Sequence, residues 1–202
     1  MKIGITGGIG SGKSYVCRRL TARYGIEVYD CDAAAKRLIR TSPVIQQKLT
    51  ELIGTDTYVD GQLNKAAVAQ FLLQSEDHAK AIDAIVHPAV FRDFEESGMK
   101  WMESAIMYES GIYRLVDQVI VVTAPLEVRI NRVMSRDHIT REKVLQWMQR
   151  QLPQEEVASR ADYEIINDGQ ADIDEQLAHI LDISEHRDVE ISRYRKENNN
   201  KQ

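Results

Sequence analysis

Features of secreted, membrane-spanning and nucleic-acid-binding proteins are scarce in this sequence. No apolar run approaches the length of a membrane span, and we expect the first residues to form a strand rather than a signal peptide. The net charge is −5 and no basic block precedes the C-terminus, which argues against a large nucleic-acid interface. The only cysteines, Cys17 and Cys31, match no metal-ligand spacing. We therefore predict a cytoplasmic protein with reduced cysteines and no nucleic-acid or membrane partner.

Length and composition indicate one globular unit. With 202 residues the chain can enclose one packed core with inserts, but it is short for two independent domains. The apolar share of 43% is high enough for such a core, and no internal repeat is visible. The predicted oligomeric state is a monomer or a small homo-oligomer.

A phosphate-binding loop is the clearest motif. Gly7, Gly12, Lys13 and Ser14 fit the pattern G-x-x-x-x-G-K-[ST], between a strand pattern and a helical pattern. Glycines bring the backbone close to an anion, and the N-terminus of the following helix adds positive potential. In such a loop the lysine reaches the β- and γ-phosphates and the serine hydroxyl holds Mg²⁺. The sequence therefore predicts a nucleoside triphosphate such as ATP, with Mg²⁺ at Ser14.

The rest of the chain alternates between strand and helix patterns. Further strands are predicted at 26–29, 104–108, 118–122 and 163–166; helices are predicted at 33–40, 125–137, 138–151 and from 173 onward. This alternation is typical of a doubly wound α/β fold, here with a five-stranded parallel sheet flanked by helices. The stretch 44–96 is almost wholly helical, with a boundary at His87-Pro88, and is interpreted as an insert on this core. Residues 197–202 are expected to form a frayed tail.

Among the classes of P-loop protein, a small-molecule kinase fits the sequence best. A GTP-dependent switch would show N-K-x-D after a strand, but the nearest match, Asn64-Lys65-Ala66-Ala67, lacks the aspartate. A motor or transporter ATPase usually has a larger chain, or a strand of four apolar residues ending in aspartate. Here the apolar strands end in Asp30 or Glu109, and the strand at 118–122 continues to Thr123 without an acid. A kinase needs a compact core, an acceptor insert and an arginine-bearing lid, and the sequence offers all three.

Two aspartates at the end of the second strand are candidates for the catalytic base. The attacking hydroxyl must lose a proton, and a carboxylate beside the P-loop can accept it. Asp30 and Asp32 lie at the carboxyl end of a predicted strand, where ligands collect in α/β sheets. The alternative is that Asp32 only caps the helix that follows, and the two roles are compatible.

Three arginines indicate a lid. Arg129, Arg132 and Arg136 are spaced i, i+3 and i+7, so they share one face of the helix predicted at 125–137. Guanidinium groups on that face could stabilise the charge on a transferring phosphoryl group. The alternative is an ordinary solvated flank of the helix.

From residue 3 to about residue 169, the sequence resembles the dephospho-coenzyme A kinase family. The P-loop alone is common to many families, but its combination with D-x-D, a His-Pro pair and an E-x-G-x-Y segment is specific. The shared segments are Thr6-Gly7-Gly8-Ile9-Gly10-Ser11-Gly12-Lys13-Ser14, Asp30-x-Asp32, Asp60-Gly61, His87-Pro88, Glu109-Ser110-Gly111-Ile112-Tyr113, Arg132-x-x-x-Arg136-Asp137, Ala161-Asp162 and Asn167-Asp168-Gly169.

The resemblance implies a kinase of the nucleoside-monophosphate-kinase type that uses ATP and Mg²⁺. It would phosphorylate the ribose 3′-hydroxyl of dephospho-coenzyme A, in the last step of coenzyme A synthesis. The single domain would comprise a core of about 1–40, 100–131 and 158–202, a coenzyme-binding insert of about 41–99 and a lid of about 132–157.

The resemblance also implies roles for individual residues. Asp32 would be the base, and Lys13 and Arg136 would act on the phosphates. The implied nucleotide site comprises Thr6, Gly8, Gly10, Ser11, Gly12, Lys13, Ser14, Tyr15, Arg132, Asn167 and Gly169. The implied acceptor site comprises Asp30, His87, Pro88 and Glu109.

Three segments depart from the family pattern. The segment 103–108 replaces a strand that usually carries a proline before two aliphatic residues, which concerns the shape of the acceptor wall. Tyr15 occupies a position where a second small hydroxyl residue is common, so only Ser14 is offered to Mg²⁺. Leu152-Pro153-Gln154 replaces a Thr-Arg pair of the lid, and Arg141 or Arg160 are candidates to substitute for that arginine. The alternative functions are a kinase for another nucleoside or small alcohol, and a nucleotide-binding module without catalysis.

Overall fold

The computed structural model describes residues 1–183, which begin with a strand, a loop and a helix. The first elements are β1 (Ile3–Thr6), α1 (Lys13–Tyr24), β2 (Val28–Asp30) and α2 (Cys31–Thr41). The next are α3 (Pro43–Ile53), a 3₁₀ turn at Thr55–Thr57, β3 (Tyr58–Val59), β4 (Gln62–Leu63), α4 (Lys65–Gln74) and α5 (Glu76–Ser97).

The second half of the chain returns to the same sheet. Its elements are β5 (Trp101–Glu103), α6 (Met107–Ser110), a 3₁₀ turn at Ile112–Leu115, β6 (Gln118–Thr123), α7 (Leu126–Asp137), α8 (Arg141–Met148), α9 (Gln154–Arg160) and β7 (Tyr163–Ile166). A last helix occupies 173–183, up to the end of the described residues. The predicted helix from 173 is therefore present, whereas the tail predicted at 197–202 lies outside the described residues.

Five parallel strands form the central sheet, in the order β2-β5-β1-β6-β7. The two strands β1 and β6 lie inside the sheet, and every residue of both is buried, as expected for strands covered on both faces. One apolar cluster on the sheet includes Phe94, Met102 and Val121, and the other includes Leu20 and Ile120. Helices thus cover both faces, and the predicted doubly wound α/β fold with five parallel strands is confirmed.

The strand predicted at 104–108 is wrong. The strand at this place is β5, which ends at Glu103, and Met107 already belongs to α6. Residue Ile5 of β1 pairs with Glu103, and β1 ends one residue later, so a longer β5 would have no partner on that side. The apolar residues Met107 and Tyr108 are buried by packing on the face of the sheet instead of within it.

The boundary predicted at His87-Pro88 is also wrong. Helix α5 continues through Pro88 to Ser97. A proline inside a helix removes one backbone hydrogen bond and costs roughly 3 kcal/mol. Here Val90 and Phe94, in the two turns after the proline, are buried in the core, and this packing outweighs the local cost.

The insert predicted at 44–96 contains a small hairpin as well as helices. Strands β3 and β4 pair antiparallel on either side of Asp60-Gly61. Both turn residues have positive φ, 51° and 74°, as a tight two-residue hairpin turn requires. The division of the chain into core, insert and lid stays a prediction, because α7 and α9 run across the expected lid boundaries.

Candidate functional site

The P-loop connects β1 to α1 at the carboxyl end of the sheet, and its glycines are required by close contacts. Gly12 has φ +93°, and a Cβ there would lie 2.0 Å from Asn167 Nδ2. Gly10 has φ +80°, and a Cβ there would lie 2.5 Å from the carbonyl oxygen of Arg129. A side chain at either position would therefore be strained and would also collide with a neighbouring element. The neighbours come from α7 and from the end of β7, so the loop is enclosed by distant parts of the chain.

The polar side chains in and around the loop differ in exposure. Ser11 is 0% exposed, and among residues 1–183 its Oγ has no hydrogen-bond partner. Buried hydroxyl groups are normally paired, so Ser11 Oγ is an exception, and it has no accessible surface through which a ligand could contact it. Thr6 is buried directly before the loop, whereas Ser14 and Tyr15 are exposed in the first turn of α1. The exposed Ser14 hydroxyl is available to a metal.

The loop lysine faces a glutamate. Lys13 Nζ forms an ion pair with Glu103 Oε2, and the two side chains are only 12% and 11% exposed. Glu103 ends β5, which is adjacent to β1 in the sheet. The same carboxylate oxygen lies 3.6 Å from Cys17 Sγ. Burial first, and then the negative charge of Glu103, raise the pKa of the Cys17 thiol to about 12, so this cysteine stays protonated.

The two aspartates of the D-x-D segment have different environments. Asp30 Oδ1 accepts a hydrogen bond from the backbone N–H of Ala33 at 2.9 Å, so Asp30 is the N-cap of α2. The capping role considered for Asp32 thus belongs to Asp30. Asp32 lies in the first turn with its side chain 80% exposed, and its Oδ2 lies 2.5 Å from Lys36 Nζ. Both aspartates are exposed at this end of the sheet, and only Asp30 caps the helix.

On the other side of the loop, Arg132 and Asn167 form one network. Arg132 Nη1 donates to the carbonyl oxygens of Asn167 at 3.0 Å and Ser11 at 3.3 Å. Asn167 is buried, and its Nδ2 donates to the Ser11 carbonyl oxygen at 2.9 Å. The structure therefore brings these two predicted site residues to the P-loop. Gly169 follows with φ +94° and open space around it.

A second arginine and Gln151 contact the loop, and Gln154 supports the arginine. Arg129 is 8% exposed, and its Nε donates to the Ile9 carbonyl oxygen at 3.0 Å. Its Nη1 lies 3.4 Å from Gln154 Oε1. Gln151 Oε1 accepts from the Ile9 N–H at 2.8 Å, and its Nε2 donates to the Ala105 carbonyl oxygen at 3.3 Å. Burial lowers the pKa of the Arg129 guanidinium, although arginine remains charged at neutral pH.

The remaining predicted residues are not brought to the loop. Arg136 is 63% exposed and pairs with Asp137 at 2.7 Å. His87 Nε2 lies 3.5 Å from Asp83 Oδ1 within α5, which also contains Pro88. Glu109 Oε1 accepts from the Leu152 N–H at 3.0 Å and so ties α6 to the segment between α8 and α9. Their assignment to phosphate or acceptor binding stays a prediction.

Comparison with known proteins identifies the family. The family model described as dephospho-CoA kinase matches residues 1–173. The chain belongs to the dephospho-CoA kinase family. A dephospho-CoA kinase of Bacteroides fragilis is 40% identical over 188 residues, which cover 90% of this chain and 91% of that protein. One of Porphyromonas gingivalis is 43% identical over 172 residues, with coverage of 82% and 85%. A Thermus thermophilus protein of known crystal structure is 33% identical with a TM-score of 0.79, over 91% of this chain and 97% of that one.

Family membership confirms the resemblance seen in the sequence, and the fold is that of the P-loop kinases.

Three residues at the loop were absent from the predicted site. Glu103 directly precedes the apolar run at 104–108 that was predicted as a strand, so the strand end that places it beside Lys13 was not identified. Arg129 had the spacing of a lid arginine but was not assigned to the nucleotide. Gln151 carried no recognisable signal, because only the fold brings it to Ile9. None of the helices in residues 1–183 combines the length and the apolar composition of a membrane span.

Proposed function

We propose that this chain transfers the γ-phosphoryl group of ATP to the ribose 3′-hydroxyl of dephospho-coenzyme A, producing coenzyme A and ADP. Membership of the dephospho-CoA kinase family over residues 1–173 carries this proposal. The geometry supports it, since the P-loop lies between a carboxylate side with Asp32 and Glu103 and a side with Arg132 and Asn167. We place the reaction in the cytoplasm, and a monomer or a small homo-oligomer is the state we expect.

The donor site is formed by the P-loop and its supports. The backbone from Gly8 to Ser14 surrounds the phosphates, and Lys13 exchanges its partner Glu103 for phosphate oxygens when ATP binds. Arg132 and the segment from Asn167 to Gly169 contact the nucleoside side of ATP. In the proposed ATP complex, the Arg136 side chain leaves Asp137 and reaches the phosphates, while Arg129 and Arg132 keep α7 against the loop.

Magnesium is held mainly by phosphates and water in kinases of this type. Among residues 1–183 no group of three or more His, Cys, Asp or Glu side chains is arranged to hold a metal, which fits such a site. The Ser14 hydroxyl would be the protein ligand, and the Glu103 carboxylate would be free to accept hydrogen bonds from water around the ion once Lys13 has left it. The ion supplies positive charge that stabilises the transferring phosphoryl group.

Asp32 is the base in this proposal. Its exposed carboxylate can accept a hydrogen bond from the 3′-hydroxyl and take the proton as the oxygen attacks phosphorus in line. Transfer is direct, without a phosphorylated enzyme. Asp30 fixes the start of α2 and thereby the position of Asp32. His87, Pro88 and Glu109 are assigned to the acceptor side by the family pattern alone.

The test measures ADP release with Mg²⁺-ATP, with and without dephospho-coenzyme A, and identifies the product by its gain of one phosphoryl mass. We expect Asp32→Asn to lower turnover by roughly 10²-fold or more and to leave ATP affinity within a few-fold. Asp77→Asn is a matched control, because Asp77 is also 80% exposed, in the first turn of a helix, and paired with a lysine. ADP release that ignores the acceptor would exclude the proposed substrate. Equal activity of both variants would exclude Asp32 as the base.

A further inference from the structure

The segment 149–153, between α8 and α9, contacts two different parts of the candidate site. Gln151 Oε1 accepts a hydrogen bond from the Ile9 N–H of the P-loop at 2.8 Å. Its Nε2 donates to the carbonyl oxygen of Ala105 at 3.3 Å. Ala105 lies between β5, which ends in Glu103, and α6. One amide side chain therefore joins the P-loop to the segment that follows β5.

The neighbours of Gln151 hold it in this place. The N–H of Leu152 donates to Glu109 Oε1 at 3.0 Å, and the Leu152 side chain packs against one of the two apolar clusters on the sheet. Ile9 packs with buried residues of α7 and α8 in a separate apolar cluster. Contacts on both sides thus fix the segment 149–153, so the Gln151 amide has a defined position between the P-loop and the segment after β5.

The two hydrogen bonds require both functions of the amide group. The Ile9 N–H needs an acceptor and the Ala105 carbonyl needs a donor, so Oε1 faces the P-loop and Nε2 faces the other segment. A glutamate would keep the acceptor, but it would have no donor and would add a negative charge beside a loop that binds phosphate. A methionine, which is also unbranched, would satisfy neither group. Of these three side chains, only glutamine joins both segments without a charge.

We propose that Gln151 is a positioning residue for phosphoryl transfer, which fixes the distance between donor and acceptor. In the proposed function, on which this inference rests, the P-loop holds the ATP phosphates and the segment after β5 leads to Glu109 on the acceptor side. The acceptor oxygen must meet phosphorus in line, and a misplacement of about 1 Å lowers such a rate about 10²-fold. Gln151 acts through Ile9 and Ala105 and contacts neither substrate.

The test compares two reactions of ATP in Gln151→Met. With both substrates saturating, so that affinities do not enter, coenzyme A formation should fall at least about tenfold, because donor and acceptor are no longer held at a fixed distance. ADP release without acceptor should change by less than about threefold, because Arg129 and Arg132 still hold the P-loop. Mass spectrometry measures the first rate and a coupled assay the second. Unchanged coenzyme A formation, or an equal loss of both rates, would overturn the proposal.

Gln176→Met is the matched control. Gln176 accepts from the Ile166 N–H at 2.8 Å and donates to the Ile166 carbonyl oxygen at 3.0 Å, at the edge strand β7, so it loses the same two kinds of hydrogen bond. The N–H of Asn167, the next residue, keeps its own bond to the Thr123 carbonyl oxygen at 2.8 Å. Tm should fall in both variants, but only Gln151→Met should lose coenzyme A formation. An equal loss in Gln176→Met would attribute the effect to stability and would overturn the proposal.

Gln151→Glu separates the two hydrogen bonds. Its carboxylate keeps an acceptor for the Ile9 N–H but has no donor for Ala105, so coenzyme A formation should also fall. A full rate in this variant would show that the bond to Ala105 is not needed and would reject the role of Gln151 in joining the two segments.

The unmodified protein tests the proposed function separately. If it forms no coenzyme A, the kinase assignment fails and this inference fails with it. If it forms coenzyme A and Gln151→Met does so at the same rate, the kinase assignment stands and only the role of Gln151 is rejected.

Discussion

Substituting Gly12, the last glycine of the P-loop, tests whether Asn167 packs against the loop and supports it. Gly12 and Gly25 are the two ends of α1, and both have left-handed backbone conformations, with φ +93° and +66°. A Cβ at Gly12 would lie 2.0 Å from Asn167 Nδ2, whereas a Cβ at Gly25 would have no atom within 4 Å. Gly25→Ala therefore measures the backbone strain alone, and Gly12→Ala adds the displacement of Asn167.

The expected difference follows from the hydrogen bonds that Asn167 would lose. Backbone strain in an alanine at either position costs about 1–2 kcal/mol. Moving Asn167 breaks its bond to the Ser11 carbonyl oxygen at 2.9 Å and its contact with Arg132 Nη2 at 3.3 Å. Leaving these buried groups unpaired costs roughly 1–3 kcal/mol more. If the free energy of ATP binding is reduced by the same 1–3 kcal/mol, the affinity for ATP should drop by roughly 5- to 150-fold.

Denaturant unfolding of both variants, with calorimetric titration of ATP, measures the two quantities. We expect Gly12→Ala to lower the free energy of unfolding more than Gly25→Ala and to weaken ATP binding, while Gly25→Ala keeps the affinity of the unmodified protein. Equal unfolding free energies within roughly 0.5 kcal/mol, together with unchanged ATP affinity in both variants, would refute the inferred contact between Asn167 and the loop.

Three further changes test charged groups, two at the P-loop and one on α5. Glu103→Gln should lower the Tm of the nucleotide-free protein by roughly 4–8 °C, because Lys13 loses its carboxylate partner. Saturating ATP should reduce this loss of Tm, because its phosphates replace the missing negative charge. Thermal unfolding with and without ATP measures both, and a loss of Tm that is independent of ATP would contradict the exchange of partners. Arg129→Lys should raise the KM for ATP about tenfold in steady-state kinetics, because the variant loses the hydrogen bond to the Ile9 carbonyl oxygen. An unchanged KM would mean that this hydrogen bond does not contribute to ATP binding. Burial alone would raise the pKa of Asp93, but hydrogen bonds from Arg37 and Tyr29 hold it below the ordinary 3.8. Asp93→Asn should therefore destabilise the protein above that pH. The difference in unfolding free energy from the unmodified protein should disappear as the pH falls through the lowered pKa. Denaturant unfolding between pH 3 and 7 checks this, and a deficit that does not change with pH would exclude the charge as its cause.

The sequence alone determined the features that depend on local chemistry. The P-loop is readable because a phosphate-binding turn needs glycines, a lysine and a hydroxyl at fixed spacing between a strand and a helix. The buried strand at 118–122 and the helix at 125–137 follow from their patterns of apolar residues, and both are present. The family could be recognised because its motifs combine in one order along the chain.

Only the tertiary structure decided which distant residues meet at the loop. Glu103 faces Lys13 because β5 lies beside β1 and ends one residue short of it, and this register cannot be predicted from an apolar run. Arg129 and Gln151 reach Ile9 because α7 and the segment after α8 pack against the loop. Helix α5 passes through Pro88 because core packing outweighs one lost hydrogen bond. Local rules give the elements, whereas contacts between residues far apart in the chain are fixed by how those elements pack.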